Sequence, residues 1–266
     1  MRETMAGMSG SASSACFHGD PPLCLTSPLL DEAGLPHLFS TRHLRGVRPW
    51  RDPAGPFDRS VLAFFDERGM GGPPAYLTQV HGAEVVAAER GGLVGRADIL
   101  TADRAGLPLA IFTADCLPII VYDPANRRLA TVHAGWRGTV VSAARMAADA
   151  LSRAGGTAET FAAAIGPSIG PCCYEVDEPV MARLTAAFPD VWRGWATAAG
   201  PGKWMLDLWQ ANTDQLRMAG LASARIDNPR LCTACRTDLF FSYRRGRGQG
   251  RLVAVAAVPD GHVGAC

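Results

Sequence analysis

From Ala75 onward, short apolar runs follow one another too closely for an all-helical chain and too irregularly for a repeat. The runs at 75–79, 83–88, 107–113, 117–122, 128–133, 161–166 and 252–258 each read as a strand. Some adjoin directly and others are separated by helical stretches. That mixture predicts a single α+β (mixed α/β) domain, with mixed sheets and outer helices, rather than a regular doubly wound sheet. Cap chemistry marks three helix starts. Thr139 can cap a helix running to about Arg153. Asp177 precedes Glu178-Pro179, and Asp207 has Gln210 three residues on. A further short helix is expected at about 58–68, inside an irregular excursion from Arg42 to Gly72.

A chain of 266 residues, 48% hydrophobic and 19% charged, has the length and composition for a substantial core. No linker divides it. Residues 25–266 read as one domain and 1–24, rich in Gly, Ser and Pro, as a disordered tail. A net charge of +1 argues against affinity for nucleic acid or a membrane surface through bulk charge. There is no apolar run of about 18 residues and no apolar h-region at the N-terminus. Eight Cys are too sparse for a disulfide scaffold, so a reducing cytoplasm is expected.

The segment Cys116–His133 carries the most chemistry. Two apolar runs flank Asp123-Pro124-Ala125-Asn126, a turn signal. A tight turn there places Cys116 opposite His133, with Cβ atoms about 4.5–5.5 Å apart at the open end of the hairpin. Pro124 favours a wider or bulged loop, Pro118 disturbs the ladder, and a one-residue slip would turn one of the two side chains to the other face. Asp115 precedes the cysteine. His81 sits in a turn, Gln79-Val80-His81-Gly82, just after a strand. Two His and one Cys suit zinc with an open fourth position, and they suit copper as well. Gly135–Thr139 leads into a helix, where Arg137, Gly138 and Thr139 read as an anion site; equally, Arg137 could pair with Asp98 or Asp115 while Trp136 packs.

TQVHG at 78–82, ADIL at 97–100, TADCLPI at 113–119, HAGWRG at 133–138, AIGPSIGPCCYEV at 164–176, LDLWQAN at 206–212, CTAC at 232–235 and FFSYRRG at 240–246 occur in that order. Together they resemble the YfiH family, the laccase-domain or polyphenol-oxidase-like proteins, over about Leu25 to Val258. The resemblance implies a single domain of mixed sheets and a mononuclear metal site of His81, Cys116 and His133. It implies a zinc-dependent enzyme of purine nucleosides: phosphorolysis of adenosine, inosine and methylthioadenosine, and deamination of adenosine. In that reading Cys116 and His133 belong to the catalytic centre, Asp115 shuttles the proton, and phosphate lies near Arg137, Gly138 and Thr139. The small-molecule partners are the nucleoside and phosphate, and the protein is a monomer or small homo-oligomer. One departure concerns Thr41–Val47, where the family's TR-x-GGVS-type segment is altered. If that segment lines the substrate mouth, Arg42 joins the contacts and substrate choice differs.

Three other functions use the same residues. One is a Cys-His hydrolase or amidase of the cell-wall editing type, with Cys116 as nucleophile and His133 as base. One is a mononuclear copper polyphenol oxidase. One is a non-enzymatic binding protein with a metal. Cys232–Cys235 reads as a redox pair or as half a zinc site with Cys172-Cys173. Successive side chains point apart in an extended chain, so packed or exposed thiols are the expectation there. Arg244, Arg245, Arg247 and Arg251 read equally as a phosphate contact and as a solvated turn.

Overall fold

The computed structural model describes residues 15–246 and 249–260. All seven expected strands form, the longest being Leu117–Asp123 and Arg128–Ala134. In Pro108–Thr113, Leu117–Asp123, Arg128–Ala134, Ala162–Ile165 and Leu252–Ala257 nearly every residue is buried, on both faces. Burial on both faces explains why the runs are continuously apolar instead of alternating.

The strands form two large sheets, of seven and six strands, and a small one of three. The seven-stranded sheet contains Ala75–Thr78, Pro108–Thr113 and Leu252–Ala257; the six-stranded sheet contains Leu117–Asp123, Arg128–Ala134 and Ala162–Ile165. Side-chain alternation divides the core into layers. Ile111 and Ala254 of the first sheet meet Ile120, Tyr122 and Ala164 of the second between the sheets. Phe112 and Val255 point outward, to the helix Arg59–Asp66. Ile119 and Val121 point to the opposite outside, onto the helices Ala143–Arg153 and Leu208–Met218. Sheet packs on sheet, with helices on each outer face.

Several expectations are revised. The N-terminal boundary moves: Cys16–His18 pairs antiparallel with Cys24–Thr26, because Cys24 and Leu25 are buried and bring their hairpin partner into the sheet edge. Residues 1–14 of the expected tail lie outside the described residues. The helix expected from Thr139 starts at Trp136, ends at Val140, and resumes at Ala143 after Ser142 takes φ 60°. Its N-cap is Gly135, and Thr139 lies inside it. The helix starts at Asp177 and Asp207 hold: helices run over Glu178–Ala187 and Leu208–Met218, and the Asp207 carboxylate accepts Gln210 N–H at 2.9 Å, whereas the Asp177 side chain makes no cap bond. Strands Gly92–Arg96 and Ile99–Ala102 escaped the sequence reading. The first is interrupted by glycine and only half buried, which leaves no apolar run to detect.

The hairpin register differs from the tight-turn reading by two residues. Asp123 faces Arg128, Pro118 faces His133 and Leu117 faces Ala134. The Asp123 carboxylate accepts N–H groups from Ala125 and Asn126 and the Asn126 side-chain amide, and Arg127 adopts φ 52°. These bonds stabilise a four-residue loop in place of a tight turn. A two-residue shift keeps every side chain on its face, since side-chain direction in a strand has period two. Cys116 therefore lies just before its strand, beside Gly135 rather than directly opposite His133.

Candidate metal centre

Three segments bring the site together. Cys116 ends the turn before Leu117–Asp123, His133 lies near the end of the partner strand, and His81 lies in the turn after Ala75–Thr78. Their ligand atoms all lie within 4.8 Å of one another. The two imidazole rings meet edge to face, with centroids 4.8 Å apart. His133 is buried, Cys116 half-buried and His81 exposed, so the set opens to solvent on one side.

In the sequence Asp98 stands out only as a partner for Arg137; in the fold its position organises the site. Its Oδ1 accepts His133 Nδ1–H at 2.7 Å. Its Oδ2 accepts the backbone N–H of Gly82 at 2.6 Å and of Val80 at 3.2 Å. Those two bonds bracket His81, which is held at φ 64°. One buried carboxylate thus fixes the tautomer of one imidazole and the backbone turn that carries the other. The His133 N–H also donates to Asp98 O at 2.8 Å, and the ADIL stretch of the sequence contains this anchor. Gln79 locks the same turn from behind, exchanging two hydrogen bonds with the backbone of Phe112.

The electrostatics match this geometry. Burial favours the neutral Cys116 thiol, but the His133 and His81 imidazoles outweigh it and bring it down to about 6. Burial likewise opposes charge on His133, while the Cys116 thiolate and Asp98 raise it to about 9. Burial also works against the Asp98 carboxylate, yet His133 and the turn N–H groups keep it below the usual carboxylate range. The donor set is two nitrogens and one thiolate-prone sulfur, oriented by an outer carboxylate, and this fits a borderline-soft cation. Gly135 leaves room for the sulfur: a Cβ there would lie 2.7 Å from Cys116 Sγ.

The set sits in a cleft of about 480 Å³ lined by Trp50, Phe112, Trp136, Tyr174 and Tyr243 together with Arg137, Arg244 and Arg251. That size and aromatic character suit a small organic molecule, and the three guanidiniums favour an anionic group on it. Burial and then the neighbouring Cys116 sulfur push the Tyr174 phenol well above its ordinary range, so it stays a neutral donor.

The other expected contacts divide. Arg137 lines the cleft, its guanidinium 4.4 Å from the Trp136 ring; Asp98 and Asp115 take other partners. Asp115 lines the cleft too, at φ 90°, accepting the Thr233 hydroxyl at 2.7 Å and the Arg244 backbone N–H at 2.6 Å. Gly138 and Thr139 are buried behind the wall. Thr139 donates to Gly135 O at 3.0 Å and accepts from Asn212 at 2.9 Å, which commits its hydroxyl to the helix start. Arg42 stands outside the cleft, bonded to Thr237 O and stacked 5.0 Å from the Phe241 ring, and lines a separate hollow with Arg245 and Gln249.

Fold and site together define a class: a mixed-sheet sandwich whose hairpin and strand-end turn carry a His-Cys-His set able to hold a metal. A family model described as multi-copper polyphenol oxidoreductase laccase matches residues 62–259, and the chain belongs to this laccase-domain (YfiH) family. It is similar to the crystal structure of YlmD from Geobacillus stearothermophilus, with TM-score 0.81 and 29% identity over 93% of this chain and 100% of that one. It is also similar to the Bacillus licheniformis protein YfiH, with TM-score 0.79 and 26% identity over 91% and 98%. Among curated relatives, the "Purine nucleoside phosphorylase YlmD" of Geobacillus stearothermophilus is 39% identical over 194 residues, 66% of this chain and 69% of that protein. A "Purine nucleoside phosphorylase" of Xylella fastidiosa is 36% identical over 212 residues, 75% and 77%. None of the helices among the described residues is long and apolar enough to cross a membrane.

Proposed function

We propose that this chain is a zinc-dependent purine nucleoside phosphorylase acting on adenosine, inosine and methylthioadenosine, with adenosine deamination as a second activity. The observation that carries the reading is the convergence of His81, Cys116 and His133 at the floor of an aromatic cleft edged by Arg137, Arg244 and Arg251. The names of the curated relatives support the phosphorolysis.

His81 Nδ1 or Nε2, Cys116 Sγ and His133 Nε2 would hold the zinc. Bound there, zinc supplies Lewis acidity and lowers the pKa of water. The chain's own groups do the rest. Asp98 keeps the His133 proton on Nδ1, leaving Nε2 free to ligate. The aromatic walls stack the purine and exclude water. Arg137, with Arg244 and Arg251, holds phosphate by charge-assisted hydrogen bonds near the ribose. Asp115 is the carboxylate that lines the cleft, available to move a proton at the base or the incoming nucleophile and held in place by Thr233 and Arg244.

The test is a nucleoside panel with and without phosphate, run on metal-assayed protein. Free base and ribose 1-phosphate should form only with phosphate, and some inosine should form from adenosine without it. Arg137→Ala should reduce phosphorolysis more than deamination. Chelation should stop both. A second reading rests on the Cys116–His133–Asp98 line, which is the nucleophile, base and orienting group of a cysteine hydrolase. Metal-free, folded protein that keeps its native rate would overturn the zinc reading and favour that one.

A further inference from the structure

The cysteines away from the cleft are not scattered. Cys172, Cys173, Cys232 and Cys235 place their four sulfurs within 4.8 Å of one another. Cys235 Sγ is 3.4 Å from both Cys172 Sγ and Cys173 Sγ. The two segments involved are distant in sequence and are tied by backbone: Ser168 N–H donates to Leu231 O and Thr233 N–H to Ser168 O. The objection to a vicinal pair holds only for extended chain. Here Cys173 N–H and Tyr174 N–H both donate to Gly170 O at 3.0 Å, so the pair sits in a tight turn and both sulfurs face the same way. The Cys232–Cys235 pair also sits in a turn, closed by Arg236 N–H to Cys232 O at 3.0 Å, which aligns residues three apart.

The geometry points to a second metal site: a closed, tetrahedral four-thiolate centre whose occupant is zinc. Thiolate–zinc bonds of about 2.3 Å in a tetrahedron separate the sulfurs by roughly 3.8 Å, and the cluster needs only small adjustments to reach that. Four soft sulfurs with no open position make a structural site and not a catalytic one. Each thiol gives up its proton on binding, and no electron transfer is involved. The resulting excess negative charge has matching surroundings. Gly170 N–H donates to Cys232 Sγ at 3.3 Å, the Arg245 guanidinium lies 3.8 Å from Cys173 Sγ, and Arg244 bonds the carbonyl of Glu175.

The centre's place in the fold gives it a purpose. It clamps the Gly170–Tyr174 turn, which supplies Tyr174 to the cleft wall, to the turn whose Thr233 hydroxyl holds Asp115. Metal at this site would brace the residue preceding Cys116 without touching substrate.

The test separates this site from the cleft centre. His81→Ala/His133→Ala protein, full length and purified with zinc, should retain one zinc per chain, and zinc X-ray absorption should show four sulfur neighbours. Cys232→Ser/Cys235→Ser should lose one zinc per chain relative to the unaltered protein. If that variant is insoluble, cobalt-loaded unaltered protein serves instead, with thiolate charge-transfer bands beyond those of a single Cys ligand expected. Nitrogen or oxygen neighbours in the His-variant, or no zinc in it, would overturn the proposal. So would a Cys172–Cys235 or Cys173–Cys235 disulfide in freshly purified protein. None of these outcomes depends on nucleoside turnover, so failure of the phosphorylase reading leaves this result legible.

Discussion

Asp98 shows how much a single carboxylate can control. It bonds His133 directly and reaches His81 only through the turn it pins. Asp98→Asn keeps the shape but weakens both effects, and outer-sphere changes of this kind typically cost about 10–100-fold in metal affinity. Zinc competition against a chromophoric chelator would read that loss. Cys116 offers a second measurement. In metal-free protein its thiolate forms as pH rises through about 6, and His133 stays protonated until about 9, so the ion pair exists between those values. Alkylation of Cys116 should therefore be half-maximal near pH 6, well below an ordinary thiol. Gly135→Ala should abolish ligation by Cys116, because the new Cβ would sit 2.7 Å from the sulfur. That His81, Cys116 and His133 belong together was legible in the sequence because their residue types and motif positions are distinctive. Asp98 was harder to read: its role arises from folding, which carries it 35 residues along the chain to His133.

At the scale of elements, the two-residue change of register separates local from tertiary information. The apolar runs specify which residues are strand, and both strands appear where the sequence places them. The loop length, however, depends on how Asp123 satisfies its neighbours' N–H groups, and its carboxylate accepts three bonds from within the turn. The helix after His133 makes a similar point. Thr139 has the chemistry of a cap, but Gly135 takes that position and Thr139 instead bonds back to Gly135 O, a common alternative for a buried hydroxyl. Where the cap residue had no competitor, the reading held. Asp207 caps its helix and also pairs with Arg230 Nη2 at 2.6 Å. Asp207→Ala should destabilise the protein by about 1 kcal/mol, the usual worth of a cap, measured by denaturant titration.

At the scale of the molecule, the three packed layers share strands: the same Leu117–Asp123 strand feeds Ile119 to one layer and Ile120 to another. Layers built this way cannot unfold independently. Ile120→Ala, at a fully buried position, should cost about 2–5 kcal/mol and shift a single cooperative transition without splitting it. The layering was only partly legible in the sequence. Continuous apolar runs announce strands buried on both faces, but they do not say which sheet each strand joins.

That central strand is hydrogen-bonded along both edges, to Arg128–Ala134 on one side and Ala162–Ile165 on the other. Its amide hydrogens can therefore reach solvent only when the whole protein opens. The Val80 and Gly82 amides, by contrast, are held by a side-chain carboxylate in a turn. In deuterated water the amides of Ile120 and Val121 should be among the last to exchange, while Val80 and Gly82 exchange through local opening. Of the three converging residues, His133 thus stands on a slowly opening strand, Cys116 adjoins one, and His81 stands on a turn held by side chains. A cation entering the site would slow isotope uptake around His81 far more than around Cys116 or His133.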